Sequence, residues 1–244
     1  MATLPPEILD KILENIPTDT EGRQTLVACT LVATWWTGPS QRRLFSSIRI
    51  RESNYERWMA NVVLTGSKTR LLGYVRSLTC SRQRNFRSQD LVQDSGEYFS
   101  ALRNLRGLTF YNNRVEHIGG GWFPTLFSAF RETLTHLSLS TFTMSFSAFV
   151  TLVGYFPNLT TLSLGWFKLG LDEGPVPSLS RPLRGKLRIH DVGPGCLEFF
   201  ARFAELELEY EELLLDSHMS TLLMERALRI SPNTVKFLRL LDRE

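Results

Sequence analysis

Leu134-Thr135-His136-Leu137-Ser138-Leu139 is matched further along the chain by Leu159-Thr160-Thr161-Leu162-Ser163-Leu164, an offset of 159 − 134 = 25 residues. Both read apolar-x-x-apolar-x-apolar. The last apolar pair flanks one polar residue, the alternation of a strand with one buried face. The pattern also occurs as Val75-x-x-Leu78-x-Cys80 and Leu105-x-x-Leu108-x-Phe110. Weaker copies centre on Leu187-Arg188-Ile189, on Phe203-x-x-Leu206-x-Leu208 and on Val235-x-x-Leu238-x-Leu240. The central leucines, 78, 108, 137, 162, 187, 206 and 238, differ by 30, 29, 25, 25, 19 and 32.

Most of these gaps lie near the period of about 20–29 residues of leucine-rich repeats. Each unit would bury its alternating leucines on one face of a short parallel strand and return by a helix or loop. No unit can bury its apolar edge alone, so the units stack. Helix-spaced apolar residues fill the returns at Phe99–Leu102, Trp122–Phe130, Phe146–Phe156 and Leu213–Leu228. Phe156-Pro157-Asn158-Leu159 resembles the step from helix to strand in such repeats. A full LxxLxLxxN register occurs once, from Leu105 to Asn113, so an asparagine ladder after the strands is not expected and the repeats are irregular. Gly165 to Arg184 is expected to form a long loop. The chain ends after the seventh unit with no cap, which predicts either a truncated chain or a strand covered by neighbours. The fold class is therefore α/β: an N-terminal helical unit over 1–51, then an irregular repeat solenoid of parallel strands over 52–244.

Residues flanking the buried leucines point outward from the sheet. Thr109, Tyr111, Ser138, Ser140, Ser163, Arg188, His190, Glu207 and Glu209 are the candidates for contact with a target. The early side is basic, with Arg76 and Arg106, and the late side acidic, from Glu205 to Glu212.

In the first fifty residues, Pro5 and Pro6 suit a helix start, where their missing N–H groups cost nothing. Ile8, Leu9, Ile12, Leu13 and Ile16 make one apolar stripe, and Pro17 ends it. Thr18 and Glu21 have capping-box spacing, so a second helix starts near Asp19 or Thr20, with Gly22 weakening its first turn. Its apolar residues run from Leu26 to Trp35 and Trp36, and Gly38-Pro39 breaks it. A short helix through Leu44-Phe45 and a strand at Ile48–Arg51 follow. Three short helices cannot bury this much apolar surface among themselves. It packs either on the rest of the chain or into a partner.

Leu4-Pro5-Pro6-Glu7-Ile8-Leu9, Ile12-Leu13, Ile16-Pro17, Ala28-Cys29-Thr30-Leu31-Val32, Trp36 and Leu44-Phe45 together resemble the F-box motif, in the form common in fungal F-box proteins. The resemblance covers residues 3–51. It implies docking on a Skp-type adaptor and, through it, a cullin-RING ubiquitin ligase. Carried over by position, the contacts are Leu4, Pro5, Ile8, Ile12, Leu31, Val32, Trp36, Leu44 and Phe45. Glu7 matches the motif's acidic position.

Other function classes find little support. The formal net charge is +3, too small for a nucleic-acid binder, and the trio Arg82, Arg84 and Arg87 reads as a solvated loop. Cys29, Cys80 and Cys196 form no CxxC pair, so neither a metal site nor a disulfide framework is expected. No signal peptide or membrane-length apolar run is present, which points to the cytoplasm or nucleus and away from membranes. Gly119-Gly120-Gly121 reads as a flexible turn. His190-Asp191 with Cys196 lacks the signature of a nucleophile and its base, so no enzyme, cofactor or metal is expected. The leading expectation is a substrate adaptor of a ubiquitin ligase. The alternative is a repeat scaffold without a ligase, capped by its N-terminal helices.

Overall fold

The computed structural model describes residues 4–51, 54, 69–81, 99–111, 127–170, 179, 181–190, 196–203, 205–206, 208–216, 219–229 and 234–241. Within them lies one sheet of eight parallel strands: β1 (Ser47–Arg51), β2 (Ser77–Ser81), β3 (Gly107–Tyr111), β4 (His136–Ser145), β5 (Thr161–Gly170), β6 (Leu183–His190), β7 (Leu208–Asp216) and β8 (Phe237–Leu241). Each strand pairs with the next in sequence, so the order along the sheet is the chain order. The fold is α/β, as the alternating leucines predict.

Three helices precede the sheet: α1 (Pro6–Glu14), α2 (Thr20–Val32) and α3 (Thr34–Leu44). The others are α4 (Thr69–Leu72) before β2, α5 (Phe146–Tyr155) between β4 and β5, α6 (Cys196–Phe203) before β7, and α7 (Thr221–Leu228) before β8. Ser145 caps α5 by accepting from the Ala148 N–H at 3.2 Å, and Ser220 caps α7 by accepting from the Leu223 N–H at 3.4 Å. One core holds the inward leucines of the strands and the buried faces of α5 and α7. Phenylalanines run through it. Phe127 and Phe130 stand 5.4 Å apart by ring centroid, Phe130 and Phe156 stack at 6.3 Å, and Phe149 meets Phe203 edge-on at 5.8 Å.

The pairing makes the spacing more regular than the sequence suggests. The residues aligned across the sheet are Ile48, Leu78, Leu108, Leu137, Leu162, Leu187, Leu213 and Leu238, with gaps of 30, 30, 29, 25, 25, 26 and 25. The centre expected at Leu206 is replaced by Leu213. Leu206 lies before β7, whose first paired residue is Leu208 opposite Leu183, and within β7 a bulge adds one more residue: Gly185 pairs with Tyr210 but Lys186 pairs with Glu212, leaving Glu211 as an extra residue. Leu208 and Tyr210 point inward before the bulge, Leu213 and Leu215 after it. Gly185 has φ +95°, and a β-carbon there would overlap the Thr160 carbonyl. Two further expectations are corrected here. Leu213–Asp216 belongs to β7, so the helical return begins only at Thr221. The loop expected from Gly165 to Arg184 is shorter, because β5 runs to Gly170 and β6 starts at Leu183.

Two asparagines do bond between units, at the positions where the chain enters the strands. Asn104 Nδ2 donates to the Gly73 carbonyl at 2.8 Å, and Asn158 Nδ2 donates to the Glu132 carbonyl at 2.7 Å. Thr133 holds the equivalent position in the unit between, where its Oγ1 lies 3.3 Å from the corresponding Arg103 carbonyl and 2.8 Å from that of Leu105. These side chains satisfy turn carbonyls that would otherwise be orphaned between units. Asn113, the ladder position of the sequence pattern, lies outside the described residues.

The N-terminal helices depart from expectation in three places. Asp19, rather than Thr18, caps α2, accepting from the Gly22 N–H at 2.8 Å. Gly22 does more than weaken a turn: it is buried, and a β-carbon on it would overlap the Pro17 carbonyl, so it lets the chain double back tightly. The break between the second and third helices falls at Ala33, in extended conformation, and α3 runs through Gly38-Pro39. Thr37 Oγ1 bridges the break by donating to the Thr30 carbonyl at 3.0 Å, and Trp35 and Trp36 begin the new helix.

Candidate functional site

The helical unit has its own small core, separate from that of the sheet. Leu9, Leu13 and Leu26 are buried there, with Ile16, Cys29, Trp36 and Leu44 packed around them. Arg43 ties α3 to the end of α1, its Nη2 donating to the Glu14 carbonyl at 3.2 Å. The single stripe expected on α1 is thus divided into two rows. Leu9 and Leu13 turn inward, while Leu4, Ile8 and Ile12 stay more than 40% exposed. On α2, Leu31 is 82% and Val32 68% exposed.

The nine predicted adaptor contacts therefore separate by environment. Leu4, Pro5, Ile8, Ile12, Leu31 and Val32 present themselves to solvent. Trp36 and Leu44 pack on the small core, and Phe45 is half-buried at the end of α3. Leu44 and Phe45 also line a groove of about 690 Å³ with Thr20, Arg23, Gln24 and Val27. Val27 and Trp35 are exposed apolar residues that the sequence reading did not select. For Val27 the signal was its place one turn before Leu31.

The second surface is the face of the sheet turned away from the core. Thr109, Ser138, Ser163 and Arg188 lie in register on it, and Tyr111, Ser140, Gly165 and His190 form the adjacent row. Tyr111 is 52% exposed, whereas Ser140 is buried. His190 Nε2 stands 3.3 Å from Ser163 Oγ. Glu209 does not join these rows. The bulge sets it opposite Arg184, with Arg184 Nε at 2.6 Å from its carboxylate, and the position across from Arg188 is Leu214. Glu207 lies outside the described residues. Beyond the rows, Thr141 and Trp166 sit side by side with φ of 54° and 45°. This left-handed geometry costs a non-glycine residue about 1–2 kcal/mol, and it accompanies a Trp166 side chain that is 60% exposed.

The acidic late side is in part neutralised. Glu212 on β7 takes Lys186 Nζ at 2.6 Å and Arg239 Nε at 3.3 Å, joining three strands. The Lys186 hydrogen bond, aided by the charges of Lys186 and Arg239, outweighs desolvation and holds its carboxyl below the ordinary Glu value.

Asp191, His117, His218, the Gly119–Gly121 turn and the Arg82, Arg84 and Arg87 trio all lie outside the described residues. Burial pushes the Cys80 thiol up to about 12. Among the described residues no helix is long and apolar enough to cross a membrane. No protein-family model matches the chain, and no curated protein matches it.

Proposed function

We propose that this chain is an F-box substrate adaptor. Its first three helices dock on a Skp-type adaptor of a cullin-RING ubiquitin ligase, and an irregular leucine-rich-repeat solenoid holds a target. The observation that carries this reading is the division of apolar residues in the helical unit. Leu9, Leu13 and Leu26, with Ile16, Cys29, Trp36 and Leu44 packed around them, form its core, yet Leu4, Ile8, Ile12, Leu31 and Val32 remain outside. Burying an aliphatic side chain of this kind contributes about 1.5–3 kcal/mol when it is complete, so leaving five exposed favours a partner that covers them. The same residues match the motif's contact positions. A cap for the repeats would instead turn this surface toward β1 and β2.

The solenoid reading rests on consecutive parallel pairing with steps of 25–30 residues. In this role the chain makes and breaks no bonds. It brings a target near a ubiquitin-loaded conjugating enzyme, and catalysis takes place elsewhere in the ligase.

The test is co-purification of the chain with a Skp-type adaptor, alongside Leu31→Glu and a Leu4→Ala/Pro5→Ala double variant. Wild-type binding that both variants lose, with their circular dichroism unchanged, supports the adaptor. A folded wild-type chain that does not bind leaves the repeat scaffold as the better description.

A further inference from the structure

Arg49, Thr79, Thr109, Ser138, Ser163 and Arg188 form one continuous line across the outer face, each paired in register with the next from β1 to β6. It reads cation, four hydroxyls, cation. The row on one side runs from Arg51 to His190, and the row on the other ends at Lys186. None of the three rows carries an aspartate or glutamate between β1 and β6. The first carboxylates come on β7: Glu212, already held by Lys186 and Arg239, and Asp216, which is buried beyond the His190 row. Arg49, Arg51 and Arg188 are exposed and form no ion pair among the described residues.

An exposed sheet face of a globular protein ordinarily intersperses both signs of charge. Six strands with cations at both margins and no anion give a field of one sign, which attracts and orients negative segments. The middle is narrow in side-chain size, because Ser and Thr leave room for a backbone to approach, and their hydroxyls can donate to carboxylates or carbonyls. Strand spacing of about 4.8 Å puts Arg49 and Arg188 about 24 Å apart, the length of roughly seven extended residues. The matching ligand is an extended chain with negative side chains near both ends and small or polar ones between.

We infer that this face binds an acidic extended peptide segment of a protein partner, with Arg188 and Arg49 as its two charge anchors. This deepens the adaptor reading and rests on it for one point only, that the bound segment is the recognition sequence of a target.

The experiment measures fluorescence anisotropy of the full chain with labelled peptides of about ten residues. One carries Glu at both ends of a Ser-Gly centre, one carries Lys there, and a single-stranded oligonucleotide serves as a third probe. The acidic peptide is expected to bind, to weaken as salt rises, and to lose roughly tenfold or more in Arg49→Glu and in Arg188→Glu. Arg229→Glu, just past the end of α7 and behind the sheet, is expected to leave it unchanged. The inference is overturned if the acidic peptide fails to bind at low salt, if it binds no better than the basic one, or if neither face variant weakens it. Tighter binding of the oligonucleotide assigns the cations to nucleic acid and also overturns it. Because no Skp-type adaptor is present, failure here is separate from failure of the co-purification.

Discussion

The imidazole of His190 occupies the space that a side chain on Gly165 would need, one strand away in the same outward row. Gly165 is thus required by a neighbour, since its backbone conformation is not one reserved for glycine. Gly165→Ala must displace the ring, which is the movable end of a side chain, and overpacking of this kind costs about 1 kcal/mol. In a His190→Ala background the same substitution is expected to be nearly neutral. Denaturant unfolding of the two single variants and the double variant gives a coupling of at least about 0.5 kcal/mol if the contact is real. Additive effects would refute it.

Glu212 sets a pH dependence with a defined sign. Its folded carboxyl titrates below the ordinary value of 4.5, chiefly through the Lys186 hydrogen bond. Its stabilising contribution is present above the ordinary Glu range and is lost as pH falls through the lowered folded value. Glu212→Gln removes that dependence. Unfolding curves of wild type and variant between neutral pH and acid are expected to differ most at neutral pH and to converge on acidification. A constant gap would contradict the bridge to Lys186 and Arg239.

Leu26 and Leu31 lie on the same helix and should respond in opposite ways. Leu26 is 1% exposed in the small core. Leu26→Ala is expected to cost about 2–5 kcal/mol as a cavity substitution. Leu31→Ala should stay within about 0.5 kcal/mol while weakening adaptor binding. Chemical denaturation and co-purification separate the two, and a destabilising Leu31→Ala would mean that Leu31 supports the fold instead of a partner.

Cys80 should be inert in the folded chain. With its thiol pushed up to about 12 by burial, only about one in ten thousand is ionised at pH 8. Cys29 is half-buried and forms no disulfide. Iodoacetamide mapping by mass spectrometry is expected to show Cys29 alkylated in the native protein and Cys80 alkylated only after unfolding. Native alkylation of Cys80 at a comparable rate would rule out its burial.

The alternation of Leu78/Cys80, Leu108/Phe110, Leu137/Leu139 and Leu162/Leu164 was enough to locate four strands and their inward faces. Period-two alternation with flanking polar residues depends only on local sequence. The prolines at 5 and 6 likewise marked the start of α1. The adaptor candidates were legible as apolar residues, but which of them would remain outside was not. Ile8 and Leu9 are equally apolar neighbours, and only the packing of Leu9 and Leu13 against Leu26 leaves Ile8 and Ile12 exposed.

The row from Arg49 to Arg188 is likewise invisible along the chain, since its six members are 25–30 residues apart and are joined only by strand register. The run from Glu205 to Glu211 alternates and then breaks into Glu211-Glu212 and Leu213-Leu214-Leu215, so the local sequence fits more than one register. Pairing with β6 selects one, by ejecting Glu211 as a bulge and moving the inward positions to Leu213 and Leu215. Local periodicity in the sequence determined that this protein has parallel strands with buried leucines and a helical start. Tertiary structure alone decided the register, the exposed half of the α1 stripe and the charge pattern of the outer face, because each depends on which distant residue lies across the ladder or the core.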